Sequence, residues 1–170
     1  GVARYLAGRG ASVLVTDRQP AGMLSESTEQ LKGLPIALRL GEHRESDFRE
    51  ADVVVVNPAV DPRRNLYLEA ARNHGARLTS EIGLFIDAAC RGDGRRRTIG
   101  VTGTAGKSTT VAMIGHILRH AGRRRVHVGG NIGGSLLDDL GAIDPDDWIV
   151  LELSSFMLEM LDDWSPRVAV

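Results

Sequence analysis

The sequence predicts an α/β protein with mainly parallel sheets, and three observations carry that expectation. Short apolar or β-branched runs, such as V-V-V-V at 53–56 and W-I-V-L-E-L at 148–153, alternate with segments of helical periodicity along the whole chain. At 98–110 a short strand runs into a glycine-rich turn and then a helix, T-I-G-V-T-G-T-A-G-K-S-T-T. At 91–97 the run R-G-D-G-R-R-R combines glycine with charge and marks the best candidate for a linker, dividing the chain into residues 1–92 and 93–170.

A chain of 170 residues can bury a sizeable core in one or two domains. With 42% hydrophobic residues, 25% charged residues and a net charge of -1, it offers no electrostatic argument for nucleic acid or a membrane surface, so a small-molecule partner is expected. The single cysteine, Cys90, excludes an internal disulfide, fits a reducing compartment and reads as a buried helix residue. No apolar run approaches the roughly 18 residues that span a bilayer, and no signal peptide is visible, so a cytoplasmic location is expected. The chain opens without methionine in helical periodicity and stops inside the apolar run R-V-A-V at 167–170, so both ends read as cut.

Val2, Leu6 and Arg9 stand at helical spacing before Gly10, and a strand is expected at 12–16, ending on Asp17. Helix, glycine, β-branched strand and acid form the second half of a Rossmann-type unit, whose acid binds a ribose or base; Asp17 reads equally well as a strand-end turn residue. Further on, a helix is expected at 23–31, a strand at 36–40, and a buried strand at 51–56 entering the turn N-P-A-V at 57–60. A helix at 65–73 closes near Gly75, and a short strand follows at 76–79. Ser80 caps a helix through Ile82, Phe85, Ile86 and Ala89, with Glu81 in its first turn. The arginines at 95–97 read as a solvated linker edge.

The 98–110 stretch reads as a phosphate cradle. Gly103 and Gly106 let the backbone turn its N–H groups inward, and the helix beginning near Lys107 adds its positive dipole end. Lys107 would reach the outer phosphates and the Ser108 hydroxyl would face Mg²⁺. Val101 stands where the strict Walker pattern has glycine, so the match is to T-G-x-x-G-K-S. The helix at 107–121 carries an apolar stripe of Val111, Ile114, Ile117 and Leu118; its two histidines, His116 and His120, read as surface residues because the zinc-protease pattern fails around them. A strand at 123–128 leads to G-G-N-I-G-G at 129–134, which reads as backbone approaching a ligand or, slightly favoured, as a plain flexible loop. A short helix is expected at 135–140. The buried strand at 148–153 carries Glu152, costly there unless paired or near a metal. In nucleotide-binding sheets an acid at that position holds Mg²⁺ directly or through water. Ser154 and Ser155 cap a helix through Met157, Leu158 and Leu161, before Pro166 and a last strand.

Taken together, T-G-T-A-G-K-S-T-T at 102–110, G-G-N-I-G at 129–133 and L-E-L-S-S-F at 151–156 resemble the Mur ligase family, and within it most nearly the member that adds D-glutamate to UDP-N-acetylmuramoyl-L-alanine. G-A-S-V-L-V-T-D at 10–17, the N-P-A-V turn and S-E-I-G-L-F at 80–85 look like that member's first domain. The resemblance implies a Rossmann-like UDP-substrate domain at 1–92 and a P-loop-type central ATPase domain at 93–170. It implies an ATP-dependent ligase in peptidoglycan precursor synthesis, acting as a monomer. ATP would phosphorylate the substrate carboxylate, and D-glutamate would attack the acyl phosphate. By the same resemblance, Thr102, Gly103, Thr104, Ala105, Gly106, Lys107, Ser108 and Thr109 bind ATP, Lys107 and Glu152 are catalytic, and Ser108 and Glu152 hold Mg²⁺. Asn131 contacts the sugar nucleotide, and Asp17 and Arg18 the uracil and ribose end.

Three positions depart from the family pattern: Ala105 stands for asparagine, Met157 for glutamine and Ala59 for glycine. The carbamylated lysine, a second metal-binding histidine and the amino-acid-binding domain implied by the resemblance would lie beyond Val170, so this chain alone is not expected to complete the reaction. Another Mur ligase, a folylpolyglutamate synthetase or a non-catalytic ATP-binding module would share the phosphate loop.

Overall fold

A computed structural model describes residues 1–61, 63–90, 97–122, 125–161 and 164–170; apart from Arg97, the linker candidate lies outside them. The fold is α/β with parallel strands, as the alternation predicts. The chain packs as two units, one of Gly1–Val54 with Asn65–Arg77, the other of Val55–Arg64 with Leu78–Val170. The second unit thus takes in residues 78–90, which the sequence boundary after Gly92 groups with the first.

In the first unit α1 (Val2–Ala7) leads into β1 (Val13–Asp17), which pairs in parallel with β2 (Ile36–Leu40) in the register Val13 to Ile36 and Asp17 to Leu40. Between them lie a 3-10 turn at Ala21–Met23 and α2 (Ser25–Glu29). This helix is shorter than the expected 23–31, because S-E-S-T-E has no apolar side to bury and Leu24 offers no side-chain cap. The sequence pattern also misses α3 (Glu45–Arg49), whose Phe48 is buried. Phe48 stacks on Tyr67 of α4 (Leu66–Asn73) with ring centroids 5.1 Å apart, and His43 meets Tyr67 edge-on at 5.3 Å. Asn65 caps α4 by accepting from the Tyr67 and Leu68 N–H groups. The division between units passes through the strands β3 (Val53–Val55) and β4 (Arg77–Thr79).

The first helix of the second unit is α5 (Glu81–Ala89), where Ser80 Oγ accepts from the Gly83 N–H at 3.2 Å and Ile82, Phe85, Ile86 and Ala89 are buried. Cys90 is the half-buried residue that ends this helix, not a buried one within it. Its central sheet has the order β6-β7-β5-β8, all parallel, built from β5 (Arg97–Val101), β6 (Val126–Gly130), β7 (Trp148–Glu152) and β8 (Val168–Ala169). The long helix α6 (Lys107–His120) covers it, placing Val111 with Ile99, Val101 and Val150 and adding Ile114 and Leu118 at the edge. Ile117, expected in the same stripe, stays exposed.

Residues 135–140 do not form the expected helix. Their Asp138 N–H bonds the Ser135 carbonyl and Asp139 N–H the Leu136 carbonyl, successive tight turns that bury Leu136 and Leu137 and lead to a 3-10 turn at Leu140–Ala142. The helix after β7, α7 (Ser155–Leu158), is capped by Ser154 Oγ on the Met157 N–H, as expected. It stops before Leu161 because the Met160 and Leu161 N–H groups bond Met157 and Leu158, three residues back, which tightens the chain out of α-helix.

Candidate functional site

Three parallel strands deliver their carboxyl ends to one edge of the second unit. Val101, last residue of β5, lies opposite Glu152 on β7, and Gly130, last residue of β6, lies opposite the same Glu152. The phosphate-type loop, the buried acid and the glycine run are therefore brought together by register, at the end of a parallel sheet where α/β proteins bind ligands.

Residues 102–106 of the loop are exposed, as are Ser108 and Thr109. The Thr102 N–H is anchored to the Val170 carbonyl and the Leu153 N–H to the Val101 carbonyl, both at 2.9 Å, so the loop leaves a braced strand. Gly106 takes φ 78° as the residue preceding α6, a left-handed conformation that glycine adopts without a Cβ penalty. No side chain caps α6, which leaves N–H groups of its first turn for an anion. Lys107 folds back over the loop, its Nζ donating to the Gly103 carbonyl at 2.8 Å.

Glu152 is 2% exposed, on a strand flanked on both sides, not at an edge. Its Oε1 accepts from Asn131 Nδ2 at 3.0 Å, and its backbone carbonyl accepts from the Asn131 N–H at 2.9 Å. Its Oε2 is buried without a hydrogen-bond partner. A carboxylate oxygen left so is costly, and its chemistry fits a hard divalent cation that prefers oxygen ligands. Among the described residues no three His, Cys, Asp or Glu side chains gather into a metal cluster, so a cation held by Glu152 and Ser108 would complete its shell with phosphate and water oxygens.

The other buried acid among the described residues, Asp147, is partnered through one of its oxygens. Asp147 Oδ2 accepts from His127 Nε2 at 2.9 Å and from the Asp144 N–H at 3.0 Å, with Arg125 Nε 3.8 Å away. Burial by itself would raise its pKa; the His127 hydrogen bond, the Asp144 N–H and the charges of His127 and Arg125 outweigh it and hold the carboxyl below its ordinary range. The contrast sets Glu152 apart: Asp147 is held by His127 and lies near Arg125, whereas Glu152 keeps a buried oxygen with no partner.

The remaining sequence candidates fall into place less closely. In the first unit Asp17 Oδ1 accepts from the Gln19 N–H at 2.8 Å, the turn role, while Arg18 is exposed. His116 and His120 lie side by side, exposed on α6, with His120 Nδ1 against the His116 carbonyl at 2.9 Å. Sequence reasoning missed the Asn131 to Glu152 bond. It also missed a small cleft lined by Pro58, Glu81, Phe85, Gly130, Leu136 and Met157, in which Met157 is buried. The departure at Met157, a sulfur side chain where the family pattern has an amide, was the one signal pointing there.

No family model matches the chain. A UDP-N-acetylmuramoylalanine--D-glutamate ligase from Roseiflexus sp. (strain RS-1) is 45% identical over 171 residues, covering 99% of this chain and 35% of its own length. A protein of the same description from Symbiobacterium thermophilum is 42% identical, covering 98% of this chain and 35% of its own length. Among solved structures, a pseudomurein peptide ligase type C from Methanothermus fervidus aligns with 98% of this chain and 34% of its own at 25% identity, with a TM-score of 0.41. The chain thus spans about a third of the length of the curated relatives it matches. Identity at this level, sustained through both units from one end of the chain to the other, reflects common descent with the corresponding third of these ligases.

Proposed function

We propose that this chain forms the nucleotide-handling part of an ATP-dependent ligase that joins D-glutamate to UDP-N-acetylmuramoyl-L-alanine in peptidoglycan precursor synthesis. Residues 1–92 serve the sugar nucleotide, with Asp17 and Arg18 toward its uracil and ribose, and residues 93–170 serve ATP. The loop from Thr102 through Gly103, Thr104, Ala105 and Gly106 to Lys107, Ser108 and Thr109 cradles the phosphates with backbone N–H groups, and Lys107 exchanges its Gly103 acceptor for phosphate oxygens. Ala105 supplies its backbone alone, without the side-chain amide of the family pattern. Ser108 and Glu152 hold Mg²⁺, which neutralises charge on the transferring phosphoryl group. Asn131, exposed beside Glu152, contacts the sugar nucleotide.

A carboxylate oxygen of the alanyl end attacks the γ-phosphorus and ADP departs. The amine nitrogen of D-glutamate then attacks the acyl carbon, phosphate leaves, and the nitrogen gives up its proton as the amide forms. The reaction consumes ATP and a sugar nucleotide, which supports a cytoplasmic location, and we propose that the protein acts there as a monomer.

The observation that supports this most is the register that sets Glu152, with its unpartnered Oε2, directly beside the strand feeding the phosphate loop. The deciding experiment offers the full-length protein ATP, Mg²⁺, UDP-N-acetylmuramoyl-L-alanine and a panel of amino acids, and measures ADP. Release that depends on D-glutamate is expected. Release driven by a different amino acid, or none with any, refutes the proposal.

A further inference from the structure

We infer that Asn131 is a positioning residue for Glu152, fixing the carboxylate so that Oε2 alone faces the cation; this rests on Glu152 being a metal carboxylate. The two residues are joined at both ends: the Asn131 N–H holds the Glu152 carbonyl at 2.9 Å, and Asn131 Nδ2 holds Oε1 at 3.0 Å. A single hydrogen bond would leave the carboxylate free to swing about its side-chain torsions. Anchoring backbone and side chain from one neighbour ties the rotamer to the strand register.

The preceding residue makes the approach possible. Gly130 takes φ 104°, and a Cβ built there would stand 2.2 Å from the Glu152 carbonyl oxygen, so only glycine lets β6 come this close before the chain turns into Asn131. The result is a division of labour between the two oxygens. Oε1 is committed to the amide, while Oε2 is buried and unpartnered. An oxygen whose neighbour is already satisfied has its lone pairs free for a cation, and a carboxylate partnered by a second residue is the usual support of a metal site. Asn131 is itself exposed, so its second N–H and its Oδ1 remain available to a substrate. Positioning and substrate contact are compatible in one side chain, and they separate by measurement.

The test titrates Mn²⁺ against the full-length protein in the presence of ADP, following loss of the free-ion electron paramagnetic resonance signal. Two variants are used: Asn131→Ala, and Asn131→Leu, which keeps the side chain's reach without its N–H donors. Both are expected to weaken Mn²⁺ binding about 10- to 100-fold, the loss that accompanies removal of a ligand's supporting partner. Their ADP affinity in EDTA should match the wild type, which a general loosening of the loop would not allow, while their melting temperature should fall because the buried Oε1 loses its donor. An unchanged Mn²⁺ midpoint in both variants overturns the assignment, whatever happens to sugar-nucleotide affinity. Glu152→Gln tells the two levels apart. Mn²⁺ binding lost there but unchanged in the Asn131 variants removes the positioning role alone. Mn²⁺ binding retained in Glu152→Gln removes the metal reading and this inference with it.

Discussion

Replacing Gly130 by alanine tests the geometry of the site without touching a side chain that any ligand needs. Gly130 sits at φ 104°, and the added Cβ would stand 2.2 Å from the Glu152 carbonyl oxygen and 3.0 Å from its carbonyl carbon and amide nitrogen. Every one of these atoms is backbone, so no rotamer change relieves the contact. The backbone conformation costs about 1–3 kcal/mol for a residue with a Cβ, and forcing apart two packed strands adds about 1–3 kcal/mol. Gly130→Ala should therefore lose about 2–6 kcal/mol of stability, the sum of the two. Gly134→Ala, in the same glycine run, is the matched control. A Cβ at Gly134 meets nothing within 4 Å and its φ lies outside the left-handed region, so this variant should be unchanged or slightly more stable, by up to about 1 kcal/mol. The two tryptophans of the chain, Trp148 and Trp164, both belong to the second unit, so urea unfolding followed by tryptophan fluorescence reports on the unit that holds the site. A lower midpoint with an unchanged slope is expected for Gly130→Ala. If it unfolds at the urea concentration of the wild type, the close approach of β6 to Glu152 is wrong, and the bracing of Glu152 by Asn131 falls with it.

Lys107→Ala should weaken ADP binding in calorimetry by about tenfold or more, since a charged hydrogen bond to phosphate contributes about 1.5–3 kcal/mol; undiminished affinity would remove this loop as the phosphate site. Ser80→Ala removes the cap on the Gly83 N–H and should cost about 1 kcal/mol in the same urea assay, with no loss meaning that α5 is held by its buried residues alone. Asp147→Asn should show a stability gap that depends on pH in a definite direction. Because the native pKa of Asp147 lies below its ordinary 3.8, its contribution is complete above that value and disappears as pH falls through the lower native one. Wild type and variant should therefore differ at neutral pH and converge on acidification below about pH 4; stability curves that stay parallel down to acid pH would show that the carboxylate's ionisation contributes nothing.

What could be seen in the sequence was what the chain settles within a few residues. The strand at 36–40 and the buried core of 148–153 announce themselves through apolar runs broken by one charged residue each, Arg39 and Glu152, and Ser80 and Ser154 cap helices because each bond spans only three residues. Helix α3 fails that criterion: E-S-D-F-R carries one apolar residue, and its place is decided by the stacking of Phe48 on Tyr67 from a later helix. Residues 135–140 fail it differently, since burial of Leu136 and Leu137 satisfies the apolar pattern through tight turns as well as a helix would. The site divides along the same line. Lys107, Ser108 and the loop glycines lie within one turn of chain and are recognisable together, and an acid inside an apolar strand flags itself. The bond from Asn131 to Glu152 spans 21 residues and exists only because β6 pairs with β7 in one register, with Gly130 opposite Glu152. A shift of one residue would turn every side chain of β6 to the other face and break it. Read from sequence, the glycine run offered a ligand-facing backbone or a slack loop; the structure gives Gly130 a third reason, contact with the chain's own neighbouring strand. A glycine that closes a strand can thus mark where two strands converge on an acid, and at Gly130 the missing side chain is what brings an amide within reach of the Glu152 carboxylate.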